Sequence, residues 1–295
     1  MESIYRKPEY EDVYVRAYDR TLSEWSVPYE TFYVRTSFGE THVIAAGPKE
    51  GKPLVLLHGF GFGSTHWIDN IAALSESRRV YALDFAGDTN KSKATKRIAT
   101  REEGAAWFAE TLDGLGLEVP DVIGLSYGGF LALLFAIALP ERVGRIAAIS
   151  PGASLRPQSK RFFFRCMMAG FFPSAKRIER LMDYMTGPGH TINRTVKDQF
   201  VVTMQTCLPR IRLFAGTFTD EELGRIRCPA LILVGEHEVQ YDAAQAVARA
   251  EAVIPGVRTV LVPGAGHGLP MECPELVNEL LLDFLHESAA ARKHA

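Results

Sequence analysis

A chain of 295 residues, 47% hydrophobic and 23% charged, can bury a full core and has room for one large domain or two small ones. A formal net charge of −2 gives no reason to expect nucleic acid or a membrane surface as a partner, and no apolar run approaches the roughly 20 residues that span a bilayer. Met1 to Lys7 leads into acidic residues rather than an apolar stretch, so no signal peptide is expected. Cys166, Cys207, Cys228 and Cys273 stand singly, which argues against a disulfide framework or a zinc site and for reduced thiols in the cytoplasm.

From the N-terminus, Tyr10 to Trp25 is expected to be an amphipathic helix lying on the body. Thr31 to Thr36 and Thr41 to Ala46 alternate across Ser37-Phe38-Gly39-Glu40 as a hairpin does. Short apolar strands then alternate with helices. The strands are Leu54 to Leu57, Val80 to Leu83, Val119 to Leu125, Ile146 to Ile149, Ala230 to Val234 and Thr259 to Val262. The helices are Trp67 to Ser75, Arg101 to Leu115, Tyr127 to Leu139, Asp242 to Glu251 and Pro274 to His286. This rhythm implies right-handed crossovers and a mostly parallel sheet covered on both faces, an α/β architecture. It breaks between Pro151 and Arg227, where aromatic and Met-rich helical segments (Arg161 to Phe172, Ile178 to Met185) offer no strand. Residues 1–150 and 228–295 are therefore expected to form the core, with 151–227 a helical cap inserted after the sixth strand, over the carboxyl edge of the sheet.

Chemistry concentrates at that edge. Gly124-Leu125-Ser126-Tyr127-Gly128-Gly129 joins an apolar strand to an apolar helix and reads as a nucleophile elbow. The bare Gly-x-Ser-x-Gly pattern has roughly a one in ten chance of arising at random in such a chain, so the context must carry it. His58-Gly59-Phe60-Gly61-Phe62-Gly63 also follows a strand, and the backbone N–H groups of Phe60 and Tyr127 are the expected oxyanion hole. His58 is read as a brace for that loop rather than a base. Two further strands end in Gly235-Glu236-His237-Glu238 and in Pro263-Gly264-Ala265-Gly266-His267. His267 is the expected general base, and Glu238 or Asp242 the carboxylate that orients it, with Glu236 bracing the turn.

The order Ser, acid, His is that of the α/β-hydrolases, which the chain resembles. Within that superfamily it resembles the Bacillus carboxylesterases that hydrolyse naproxen esters. The likeness runs through Phe38 to Ala45, the strand into His58-Gly59, Asp84 to Ser92, Gly124-Leu125-Ser126, Phe218 to Leu223, Gly235 to Asp242, Ala265-Gly266-His267 and Met271-Glu272, and departs mainly over Ser154 to Thr217. The resemblance implies an α/β-hydrolase fold and a glutamate as the acid at the position of Glu238.

These readings lead to a serine carboxylester hydrolase that works through an acyl-enzyme on small to medium esters with apolar acyl groups, without metal or organic cofactor. Alternatives on the same residues are a carbon–carbon bond hydrolase, a lactonase, a perhydrolase or an acyltransferase; outside enzymes, a ligand-binding receptor. In the cap, Phe162, Phe163, Phe164, Met167, Met168, Phe171 and Phe172 are expected to line an acyl pocket or pack on the body. The basic residues there, Arg156 to Arg212, are read as a solvated helix face. The physiological ester and the oligomeric state are not legible.

Overall fold

Alternation along short strands governs the architecture of residues 3–287, the part of the chain that the computed structural model describes. Helix α1 (Tyr10–Ser23) precedes the hairpin β1 (Tyr29–Thr36) and β2 (Gly39–Ala46), then β3 (Lys52–Leu57), a 3-10 turn at Ser64–Asp69 and α2 (Ile71–Ser75). Strand β4 (Arg78–Leu83), the two-residue β5 (Lys93–Ala94), α3 (Arg101–Leu115), β6 (Asp121–Leu125), α4 (Tyr127–Ala138) and β7 (Ile146–Ile149) follow. The chain then leaves the sheet for α5 (Lys160–Phe171), α6 (Ala175–Met185), α7 (Arg194–Thr206) and α8 (Asp220–Leu223). It returns through β8 (Ala230–Gly235), α9 (Ala243–Val253), β9 (Arg258–Val262), α10 (Leu269–Glu272) and α11 (Pro274–His286).

Among the described residues nine strands make one sheet, in the order β1-β2-β4-β3-β6-β7-β8-β9 with β5 on β2. From β4 to β9 every pairing is parallel, and β2 joins β4 antiparallel. Both faces are covered. Val55, Leu57 and Val122 point to α3 and α4, with Trp107, Phe108, Phe130 and Phe135. Their neighbours Leu54, Leu56, Ile123 and Leu125 point the other way, to Tyr14 and Tyr18 of α1 and Phe284 of α11. Helix α4 is apolar all round because it is buried nearly all round.

The expected mostly parallel sheet and its helices are present, with differences at the ends of elements. The helical excursion follows the seventh strand, not the sixth, because β5 pairs with Gly39 and Glu40 over only two residues, too few to carry a sequence pattern. Strand β2 starts at Gly39 rather than Thr41, since Gly39 and Glu40 pair with Thr36 and Arg35 of β1 on one side and with β5 on the other. Strand β6 starts at Asp121 rather than Val119; Pro120 has no N–H to give a ladder. The helix expected over Trp67 to Ser75 is broken at Asn70, whose amide donates to Pro270 O at 3.1 Å and Asn278 Oδ1 at 2.9 Å. Helix α7 was not anticipated: its buried face is Thr195, Gln199, Thr203 and Thr206 beside Val196 and Phe200, so no apolar period marks it. On α5 only Phe162 and Ala169 are buried, whereas Phe163, Phe171 and the following Phe172 are exposed instead of lining a pocket or packing on the body, and the exposed Phe164 lines, with Met168, a surface groove against α6. Residues 1–2 and 288–295 of the expected core lie outside the described residues.

At the amino end of β6, Asp121 is wholly buried against Arg78 Nη1 at 2.6 Å and Lys52 Nζ at 2.8 Å. Arg78 also donates to Leu285 O of α11 at 2.7 Å. Removing one partner of a buried pair leaves an uncompensated charge. Arg78→Met is therefore expected to cost about 3–5 kcal/mol in urea unfolding; a loss below about 1 kcal/mol would show that the pair is not what holds these elements.

Candidate active site

Ser126 stands between β6 and α4 with a positive φ, 54°, and ψ −110°, a backbone conformation that a non-glycine residue adopts only under constraint. The constraint is visible. Its N–H donates to Ile149 O at 2.8 Å, and its carbonyl accepts from Phe130 N and Gly152 N, both at 2.9 Å. The backbones cross so closely that a Cβ on Gly124 would lie 2.1 Å from Gly128 O, and one on Gly128 2.1 Å from Leu57 O. Glycine at both positions is what permits the turn.

The Ser126 hydroxyl meets the loop after β9, where His267 Nε2 lies 2.9 Å from Oγ. On the far side of the ring, Nδ1 lies 2.8 Å from Glu238 Oε2 and 3.0 Å from Oε1. A carboxylate there puts the imidazole proton on Nδ1 and leaves the Nε2 lone pair facing the serine. Glu238 also accepts from the N–H groups of Val239 and Gln240, each at 2.8 Å. Burial alone pushes its carboxyl up, but His267 and the Gln240 N–H outweigh burial and hold it below the ordinary glutamate range.

The other acids in reach have different partners. Asp242 is the N-cap of α9, accepting from Gln245 N at 2.8 Å, and Glu236 accepts from Gly264 N at 2.9 Å. His58 braces its loop: Nε2 accepts from Phe85 N at 3.1 Å while Nδ1 faces Gly59 O at 2.9 Å. The N–H groups of Phe60, in the loop after β3, and of Tyr127, which opens α4 directly after the serine, have no hydrogen-bond partner among the described residues. The loop's shape is held from below by Asp88, which accepts from Gly61 N at 3.0 Å, and Asp84, which accepts from Ser64 N at 2.8 Å. Burial alone would raise the Asp84 carboxyl; His42 and the Ser64 N–H hold it well below the usual range.

Two residues at the site escaped the sequence reading. Gln240 is buried with Nε2 2.9 Å from His267 Nε2 and 3.4 Å from Ser126 Oγ, so its amide shares the imidazole lone pair with the hydroxyl. Glu272 accepts on Oε2 from Gly266 N at 2.7 Å and Gly187 N at 2.8 Å, and on Oε1 from Gly268 N at 2.7 Å. It thereby laces the His267 loop to the segment after α6. The only sequence signal for either was its place in the stretches resembling the esterases.

A model of the alpha/beta hydrolase family matches residues 54–280. Carboxylesterase YbfK of Bacillus subtilis is 38% identical over 281 residues, 92% of this chain and 93% of its own. Its crystal structure, as carboxylesterase CesB, superposes with a TM-score of 0.88 at 37% identity, over 94% of this chain and 99% of that one. The crystal structure of the naproxen esterase of the same organism gives 0.90 at 36% identity, over 95% of this chain and 100% of that one. The chain belongs to the α/β-hydrolase family, and these relatives, similar to it over nearly their whole length, are carboxylesterases.

The depressed Glu238 carboxyl has a consequence for stability. A carboxylate whose folded pKa lies below its unfolded value adds stability that is complete above about 4.3 and is lost as the pH falls through the folded value. Glu238→Gln should accordingly be less stable than the parent at pH 7, with the gap closing in urea unfolding at pH 3.5. A gap that widens on acidification would contradict the charge assignment.

Proposed function

We propose that this protein, a carboxylesterase-type hydrolase, cleaves small to medium esters with apolar acyl groups through an acyl-enzyme on Ser126. The observation that carries the proposal is the run of contacts from Glu238 through His267 to Ser126 Oγ, with the serine held at a strained elbow. His267 Nε2 takes the hydroxyl proton as Oγ attacks the ester carbonyl, and the electron pair of the C=O bond moves onto oxygen. The N–H groups of Phe60 and Tyr127 receive that oxyanion, the latter reinforced by the positive end of α4. Collapse expels the alkoxide, which His267 protonates. Water then attacks the acyl-enzyme, giving its proton to His267, and the second collapse returns a proton to Ser126. Glu238 holds the imidazole tautomer and stabilises its cation throughout.

Residues 1–150 and 228–295 are assigned to the catalytic core and 151–227 to a cap. Three contacts support this assignment. Ser159, at the start of α5, donates through its N–H to Gln240 O at 2.5 Å and through Oγ to Val239 O at 3.0 Å. The N–H of His267 itself donates to Met185 O, at the end of α6, at 2.7 Å. Apolar acyl groups are favoured because Phe162 packs beside His267, ring centres 6.0 Å apart, and the half-exposed Phe60 packs on Tyr127 at 6.2 Å.

Ser126→Ala is expected to lower turnover of p-nitrophenyl butyrate at least about a thousandfold with an unchanged circular dichroism spectrum. A fluorophosphonate probe should label Ser126 in the parent; near-normal turnover by the variant would sink the mechanism. Glu238→Gln should impair turnover far more than Asp242→Asn, and the opposite ranking would reassign the acid.

A further inference from the structure

Helix α5 shows three faces. Phe162 and Ala169 point into the body, with the half-buried Cys166 between them. At about 100° per residue, Phe163, Phe164, Met167 and Phe171 share a second face about a quarter of a turn wide. It is open to solvent: Phe163 is 58% exposed, Phe164 56% and Phe171 72%, and Phe172 beyond the helix end is 58% exposed. The third face carries Arg161 and Arg165. Across a groove of about 440 Å³ they meet Arg177 and Arg180 of α6, over a floor of Phe164, Met168 and Leu181.

Charge is segregated here to a degree that the whole-chain balance conceals. Residues 160–180 carry six bases (Lys160, Arg161, Arg165, Lys176, Arg177 and Arg180) and one acid, Glu179, an excess of five positive charges in a chain whose net charge is −2. An exposed apolar patch of this kind marks a binding surface. A second copy of the chain is a poor occupant, because a two-fold contact sets the same positive excess against itself. Nor does a neutral apolar ligand use the arginines. An anionic lipid–water interface uses both parts, taking aromatic side chains at the acyl boundary and guanidinium groups at the phosphates.

We propose that α5 and the turn Phe172–Ser174 dock this protein on anionic lipid surfaces. Phe163, Phe164, Phe171 and Phe172 enter the interface, and the four arginines of the groove bind headgroup phosphates. The same helix begins at Ser159, which is bonded to the loop that presents Glu238, and its Phe162 packs beside His267. A docked α5 therefore brings the proposed nucleophile to esters dissolved in the lipid. The docking itself goes beyond the esterase reading and does not require it.

Co-sedimentation of the full chain with phosphatidylglycerol and phosphatidylcholine vesicles tests this. The expected result is partition onto phosphatidylglycerol at least about tenfold stronger than onto phosphatidylcholine, weakening as salt is raised from about 0.1 M to 0.5 M. The pairs Phe163→Ser with Phe171→Ser, and Arg161→Gln with Arg180→Gln, should each reduce that partition about tenfold while melting temperature and p-nitrophenyl butyrate turnover stay at parental values. Parental partition by both pairs, or no preference for the anionic lipid, would overturn the proposal. So would a dimer in sedimentation velocity that Phe171→Ser dissociates, since the face would then belong to a second copy. Ser126→Ala should bind as the parent does, so a failed esterase assignment and failed docking are told apart.

Discussion

The crossing of α4 over β3 and β6 leaves no room for a side chain, and much of the molecule's upper edge is arranged by that crossing. With the Gly128 position pressed against Leu57 O, the first turn of α4 is pinned to the end of β3. The start of α4 is thereby held against the β3 end from which the Phe60 loop departs, and the Ser126 hydroxyl meets Gln240 and His267 of the loops after β8 and β9. A larger residue at either crossing point must push the helix outward, and with it the Tyr127 N–H, away from the loop that carries Phe60. Strain at Ser126 is the cost of that geometry, and the hydrogen bonds to Ile149, Gly152 and Phe130 offset it.

Buried carboxylates do for the loops what glycine does for the elbow. Asp84, Asp88, Glu238 and Glu272 each accept two or more hydrogen bonds, and every one of them binds backbone N–H groups of a loop at the site. A charged acceptor makes such bonds stronger than neutral ones and fixes loops that have no ladder of their own. The consequence is a set of irregular segments fixed by several hydrogen bonds each, as positioning a hydroxyl within hydrogen-bond reach of an imidazole requires.

Elements with a local cause could be read from the sequence, and those set by distant partners could not. Leu54 to Leu57 and Ile146 to Ile149 announce themselves because a strand buried on both faces must be apolar at every position. The elbow is legible because its two glycines stand two positions either side of the serine, although only Gly124 answers a contact within five residues and Gly128 answers the distant Leu57 O. Helix α7 hides because its inner face is built from threonine and glutamine. Thr65 Oγ1 donates to Gln199 Oε1 at 2.9 Å, and Gln199 Nε2 donates to Phe62 O at 2.9 Å, contacts more than 130 positions apart in sequence. Gln240 and Glu272 are of the same kind: a polar residue has no visible role until the chain folds its partners around it. Phe162, Phe163 and Phe164 are alike in sequence, and only the helix phase separates the inward ring from the two outward ones.

Strand β6 is five residues, about 16 Å from end to end. The buried Asp121 ion pair is at its start, and the strained Ser126 follows its last residue. One strand thus carries an anchor at one end and a conformational load at the other, separated by apolar residues alike in both requirements. Selection can tighten or loosen the amino edge, through Lys52, Arg78 or the end of α11, with no change in the angle at which the serine is presented. A protein so divided can drift in thermal tolerance among environments while keeping one chemistry.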